Sequence, residues 1–272
     1  MPVLSTVGAA SAKAYGNGNS VIVPGNSGIL TSGSVFTLPI TSGTRINVLA
    51  IGGGGGGGGG SGRTSSYGYY TGGGSGGAGG NGYALNVNVQ PRSNVVYLIS
   101  PGASGGAARD GIFSSGSNGD NAAQYGAVGV GSTNILTVSG GAGGINSPSG
   151  YGGGNGSVQT GTQLLTPTTG NNAGGYWITI FGVPRFVGNT VGGLGAKGYV
   201  INTTVGLPLA SILTYGDTGT AGGENSGQFP ASGTIYGAGG TGGGCSQSDV
   251  YNANNINSSS GTTGAVFIWW GY

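Results

Sequence analysis

Any reaction chemistry in this chain must come from very few side chains. Asp110, Asp120, Asp217, Glu224 and Asp249 are its only acids, Cys245 is its only thiol, and histidine is absent. Without histidine, Ser-His-Asp and Cys-His nucleophilic arrangements are excluded, as is the ordinary histidine metal site. Two of the five carboxylates could flank a glycosidic bond as acid and nucleophile. Their Asn, Ser and Gly neighbours read instead as turns that the acids cap. Cys245, between Gly244 and Ser246, reads as a small surface or packing residue. The nine glycines at 52–60 invite a phosphate-cradle reading, but no Gly-Lys-Ser/Thr follows and no helix pattern begins there. The expectation is a protein that is not an enzyme, with no catalytic residue, no metal and no cofactor.

Recognition chemistry is left to the aromatics. Tyr67, Tyr69 and Tyr70 follow Arg63 between two glycine runs, and Tyr176, Trp177, Phe181 and Phe186 share a long insert. Tyr215, Phe229 and Tyr251 fall in later inserts. Two readings stay open for them. They pack over the ends of a scaffold as small satellite clusters, or their flat amphipathic rings contact sugars or protein loops at low entropy cost. Basic groups do not compete as recognition elements. Lys13, Arg45, Arg63, Arg92, Arg109, Arg185 and Lys197 are scattered, and the net charge is only +2. A phosphate-tracking surface needs clustered cations, so no nucleic-acid partner is expected.

The elements that would hold these residues are dominated by glycine, 70 of 272 residues. Runs recur at 52–60, 72–80, 140–144, 152–156, 192–196, 222–223 and 237–244. Helix is excluded there, since each Gly costs about 1 kcal/mol against Ala. Collagen is excluded because the glycines cluster and do not fall at every third position. A flexible tether is the default for such composition, but tethers do not outnumber what they tether. The alternative is a set of extended polyproline-II-like rods, three residues per turn and about 3.1 Å rise. Their N–H and C=O groups must find partners on neighbouring rods, helped by Cα–H contacts to oxygen. Gly52, Gly56, Gly60, Gly76, Gly79, Gly140, Gly143, Gly239 and Gly242 are the expected scaffold positions.

Strands are predicted at 34–39, 46–51, 83–89, 95–99, 134–138 and 265–270. In 83–89 the alternation puts Leu85, Val87 and Val89 on one face, and 91–94 supplies the turn into 95–99. The apolar 265–270 segment is expected inside a sheet, because an exposed edge of this kind aggregates. The fold class is therefore mainly β plus a polyglycine-II bundle, with short antiparallel strands, long loops and essentially no α-helix. Residues 1–30 read as an N-terminal arm or attachment segment, and 31–272 as one glycine-rich domain. Inserts at 63–70, 158–189, 199–215, 225–236 and 245–260 are expected as loops at one or both bundle ends, where a rigid scaffold usually carries binding. One cysteine allows no intrachain disulfide. The first residues lack the features of a secretory signal, and no apolar run approaches a membrane span.

Several phrases resemble, in order, phage glycine-rich tail-fibre domains. They are Phe36-Thr37-Leu38-Pro39, then Arg45-Ile46-Asn47-Val48-Leu49-Ala50-Ile51 into oligoglycine, then Gly79-Gly80-Asn81-Gly82-Tyr83-Ala84. Val95-Val96-Tyr97-Leu98-Ile99-Ser100-Pro101-Gly102, Leu136-Thr137-Val138-Ser139-Gly140-Gly141 and Gly264-Ala265-Val266-Phe267-Ile268 follow. The resemblance covers about residues 30–272 and extends to T-even-like fibre-tip adhesins. It implies a virion tail-fibre or tail-tip protein in which a polyglycine-II sandwich displays loops to the host. The partners implied are a bacterial outer-membrane protein or surface glycan, and other fibre or tail proteins of the virion. Only residues 1–30 precede the first phrase, whereas those adhesins carry a long attachment domain. Whether the protein caps a fibre as a monomer or forms its end as a homotrimer stays open. Two other readings are a virion structural or decorating protein, and a polyproline-II-bundle antifreeze protein.

Overall fold

A computed structural model describes residues 27–31, 35–37, 44–62, 73–90, 94–106, 109–110, 119–122, 126–145, 151–172, 177–180, 183–186, 192–204, 207–216, 235–243, 245–247, 253–255 and 258–270. The fold is mainly β with essentially no α-helix. The first five-stranded sheet places β1 (Ser27–Leu30) beside β18 (Ala265–Trp270), then β3 (Thr44–Ile51), β5 (Asn81–Val89) and β11 (Thr162–Gln163). The second runs β10 (Val158–Thr160), β9 (Thr133–Val138), β8 (Gly126–Val130), β6 (Asn94–Leu98) and β2 (Val35–Thr37). Every pairing in both sheets is antiparallel.

The apolar runs in β3 and β18 are continuous because the first sheet is covered on both faces. Ile46, Val48, Ala50, Val266, Ile268 and Trp270 meet Val95, Tyr97, Val128, Leu136 and Val138 of the second sheet. Leu49, Ile51, Phe267 and Trp269 point the other way, toward Tyr199, Ile201, Ile212 and Leu213. Those last residues belong to a hairpin of β14 (Tyr199–Ile201) and β15 (Leu213–Tyr215), joined through a 3-10 turn at Leu209–Ser211. The 199–215 insert, expected as a loop, thus contributes to the core: Tyr199 and Ile212 are fully buried, while 202–204 and Tyr215 are exposed. The Phe267 and Trp269 rings stack at 5.0 Å. As expected, the 265–270 strand is interior, pairing with β1 on one side and β3 on the other.

Two strand expectations need correction. The 83–89 and 95–99 strands form, but they lie in different sheets and do not pair. Nor do Leu85, Val87 and Val89 share a face. Tyr83 and Leu85 pack toward the hairpin, while Ala84, Val87 and Val89 face the second sheet. The cause is a bulge opposite Ile46–Val48, at Asn86, whose φ is +54°. One extra residue reverses the alternation beyond it. The Asn86 N–H donates to Asn47 Oδ1 at 2.9 Å, which holds the bulge. Ser27–Leu30, read with the N-terminal segment, is an edge strand of the first sheet.

The glycine runs are packed rods. In 52–60 the N–H groups of Gly52, Gly55 and Gly58 donate to the carbonyls of Gly80, Gly77 and Gly74 at 2.8–3.0 Å. Gly54 and Gly57 donate to Thr262 and Ser259, and Gly56 donates to Asp120. Carbonyls 53 and 56 accept from Gly141 and Gly144, 54 and 57 from Ala103 and Gly106, and 55 and 58 from Gly240 and Gly243. Bonds to a given neighbour recur every third residue, the repeat of the polyproline-II helix. The 52–60 rod therefore contacts six others. The 73–80 rod does the same, bonding to 52–60, 139–145, 151–157, 166–172, 192–198 and 237–243.

These contacts define three layers among the described residues. One holds rods 151–157, 139–145 and 119–122. The middle holds 166–172, 73–80, 52–60 and 101–106, and the third holds 192–198, 237–243 and 258–264. Only 52–60 and 73–80 are enclosed on all sides, and they are the rods nearly free of side chains. A Cβ on Gly56 would lie 1.9 Å from the Ser104 carbonyl oxygen, and one on Gly76 2.0 Å from that of Gly55. Rods at the perimeter need space on one face only. In 101–106, Ala103 and Gly106 are buried while Pro101 and Ser104 are exposed.

Candidate functional site

Each rod is continuous with the β sandwich at one end. Rod 52–60 leaves β3, 139–145 leaves β9, and 237–243 leaves the Tyr199–Tyr236 bridge. Rods 73–80, 192–198 and 258–264 return into β5, β14 and β18. At this junction Asn81, fully buried, donates from Nδ2 to the Leu165 carbonyl and accepts the Leu165 N–H, both at 2.8 Å. The Tyr199 hydroxyl donates to the Gly79 carbonyl at 3.0 Å. Burial pushes the Tyr199 phenol far above its ordinary range, with a hydrogen bond from Asn81 acting in the opposite sense.

The opposite ends of the rods lie together. Gly73 donates to Gly243, Gly243 to Gly58, Gly106 to Gly57, Ser258 to Gly106, and Gly74 to Ile145. All connections between successive outgoing and returning rods therefore leave from this one end: 61–72, 107–118, 146–150, 173–191 and 244–257. Three small strand pairs mark it. β4 (Ser61–Gly62) lies parallel to β7 (Arg109–Asp110), with Ser61 opposite Arg109. β12 (Trp177–Ile180) and β13 (Val183–Phe186) form a hairpin with Trp177 opposite Phe186. β16 (Cys245–Gln247) pairs with β17 (Ala253–Asn255), and both lie against β4. Among the described residues of this end, β4, β7, β16 and β17 lie against one another, and each short strand is held by its pairing.

The candidate residues divide by end. Trp177 and Phe186 lie on the hairpin at the rod-connection end. Arg63, Tyr67, Tyr69, Tyr70, Phe181, Phe229 and Tyr251 lie outside the described residues. The first four fall between Gly62 and Gly73, Phe181 within the β12–β13 hairpin and Tyr251 between β16 and β17. Phe229 falls between Gly216 and Ile235, which flank the sandwich. Tyr215 is also at the sandwich. Its hydroxyl donates to the Thr166 carbonyl at 2.7 Å and its ring lies 6.1 Å from that of Tyr199. All nine scaffold glycines occupy rods, although Gly140 faces outward from its layer. Of the acids, Asp120 is a rod residue whose backbone bridges Ser104 and Gly56, and Asp110 pairs in β7. Among the described residues no group of His, Cys, Asp and Glu is assembled as a metal site.

Sequence reasoning missed the 107–118 and 146–150 connections as members of this end. For 146–150 the signal was the glycine runs at 140–144 and 152–156 on either side. For 107–118 it was the preceding rod 101–106, whose small residues fall at the buried third positions Ala103 and Gly106 without a glycine run. No protein-family model matches the chain, and no curated protein matches it in sequence.

Proposed function

We propose that the protein is a bacteriophage tail-fibre or tail-tip receptor-binding protein, which adheres to the bacterial surface through loops carried on the glycine scaffold. One observation carries the reading: each outgoing rod is joined to its returning partner at the same end of the bundle. Five connections of varied composition leave there, and the described parts of four of them pair as short ladders. Those connections contain Arg63, Tyr67, Tyr69, Tyr70, Trp177, Phe181, Phe186 and Tyr251. Aromatic side chains with a neighbouring Arg are the residue types that dominate binding hot spots. A close-packed bundle beneath them limits the ordering cost of binding, because the loop anchors are already fixed. The partner is an outer-membrane protein or a surface glycan, and the rest of the virion holds the other end.

The purified protein should bind susceptible bacterial cells in a saturable manner and lose binding to spontaneous phage-resistant mutants. Equal binding to both would overturn the receptor reading and favour a structural or decorating role in the virion.

A further inference from the structure

We propose that the flank of the bundle carries a second binding site, a groove for a neutral saccharide, separate from the loop-bearing end. The groove has a volume of about 290 Å³ and lies where rods 119–122, 139–145 and 151–157 meet β10. Asn121, Asn155, Gln159, Ser139, Gly140, Gly141 and Ala142 line it. The Ser139 hydroxyl already accepts the Ser157 N–H at 2.8 Å, which leaves the Asn155 and Gln159 carboxamides as its open side-chain groups. No ionisable side chain lines it, so the ligand it suits carries no charge.

Two carboxamides in it are open. Many rod amides of the bundle are taken by neighbouring rods, and some by side chains standing in for a missing rod. Asn121 Oδ1 accepts the Gly143 N–H at 2.7 Å and Asn172 Oδ1 accepts that of Gly152 at 2.9 Å. Gly140 lines the groove and has no such cap: neither its N–H nor its C=O is bonded to a neighbouring rod. The Asn155 and Gln159 carboxamides are also unpartnered, and both residues are exposed. The array therefore offers donors and acceptors side by side. Each hydroxyl of a sugar is itself donor and acceptor, so vicinal hydroxyls match it. The methylene and methyl groups from Gly140 to Ala142 suit the C–H face of a pyranose ring.

An extended peptide fits less well. It would need a ladder of free groups along the rod, and the next outward N–H, that of Gly143, is already occupied by Asn121. The volume is at the low end for small-molecule sites, roughly 300–1,000 Å³, which restricts the ligand to one or two rings.

The test is a titration of uniformly ¹⁵N-labelled protein with lactose, maltose and N,N′-diacetylchitobiose, with glycerol at matched hydroxyl concentration as control. The expected result is a saturable, millimolar shift of the Gly140 amide and the Asn155 and Gln159 side-chain NH₂ signals by at least one disaccharide. Each of Asn155→Ala and Gln159→Ala should weaken it about tenfold, the value of one hydrogen bond of roughly 1.4 kcal/mol, and the double variant should abolish it. Neither side chain supports the fold, so the variants should melt as the parent does. Absence of shifts with all three sugars, shifts matched by glycerol, or shifts that survive the double variant would each overturn the site. Retained cell binding by the double variant, with the sugar shifts lost, would separate this site from the loop-bearing end.

Discussion

Replacing Gly56 with alanine tests the packing of the rods with one methyl group. Its Cβ would stand 1.9 Å from the Ser104 oxygen and 2.5 Å from the Ser104 carbon. Contacts shorter than 3.0 Å are not tolerated, and backbone cannot swing aside as a flexible side chain does. The 101–106 rod must therefore retreat by about 1 Å or more. That movement stretches the Ala103 N–H bond to Gly54, now 3.0 Å, and the Gly106 N–H bond to Gly57, now 2.8 Å, beyond bonding range. It also strains the Asp120 N–H bond to Ser104. A buried group left without its partner costs about 1–3 kcal/mol, so the variant should lose roughly 3–6 kcal/mol. That is a large share of a typical stability of roughly 5–15 kcal/mol, and should lower Tm by roughly 10 °C or more. Gly154 is the control. A Cβ there meets nothing within 4 Å, so Gly154→Ala should be neutral or stabilising by about 0.4–1 kcal/mol through the unfolded chain. Calorimetry of both variants decides the matter. Equal melting of Gly56→Ala and Gly154→Ala would refute close packing of backbone on backbone.

Three further outcomes are expected. Asn81→Ala breaks both 2.8 Å bonds to Leu165 at the junction and should cost about 2–4 kcal/mol by urea unfolding; a loss under 1 kcal/mol would show the junction does not depend on it. Because burial raises the Tyr199 pKa, its contribution to stability is complete below the ordinary tyrosine pKa of about 10. Above that pH the unfolded chain binds fewer protons than the folded one, so stability should fall by about 1.4 kcal/mol per pH unit from this group. Tyr199→Phe should be less stable at neutral pH but lose this part of the alkaline slope; an unchanged slope would sink the assignment. Tyr69→Ala should leave Tm unchanged and weaken adsorption to susceptible cells by about tenfold or more, as loss of a hot-spot aromatic does; unaltered adsorption would remove that residue from the site.

The central rods were legible because enclosure on every side leaves room for little beyond glycine: 52–60 is an unbroken run, and 73–80 is interrupted only by the small buried Ser75 and Ala78. Perimeter rods were not. Pro101, Ser104, Ser260 and Thr263 face solvent, so their rods keep small residues only at inward positions and look like ordinary polar loops. Long-range pairing was equally hidden. The turn after Val89 reads locally as a hairpin, but β3 takes β5 and β18 as partners while β6 joins β8 and β2. Composition around residue 89 records none of those distant partners. The Asn86 bulge reverses the facing of Val87 and Val89 because a single residue at φ +54° leaves no mark on alternation. Of the inserts read as loops, 158–189 contains β10, β11 and the rod 166–172 as well as the β12–β13 hairpin, and 199–215 is a hairpin on the first sheet. Sorting them by end required the order of strand and rod. Once that order is known, 199–215 and Tyr215 belong beside the sandwich and Trp177 belongs with the opposite end.

Hydrogen exchange at individual glycine amides tests the framework most directly. If the rods are fixed by mutual amide bonds, the amides of Gly52, Gly55, Gly58, Gly76 and Gly79 exchange only through global unfolding, while those of exposed Gly154 and uncapped Gly140 exchange freely. Rapid exchange along 52–58 and 73–79, indistinguishable from Gly154, would mean that these glycines are a loose linker and would contradict the account.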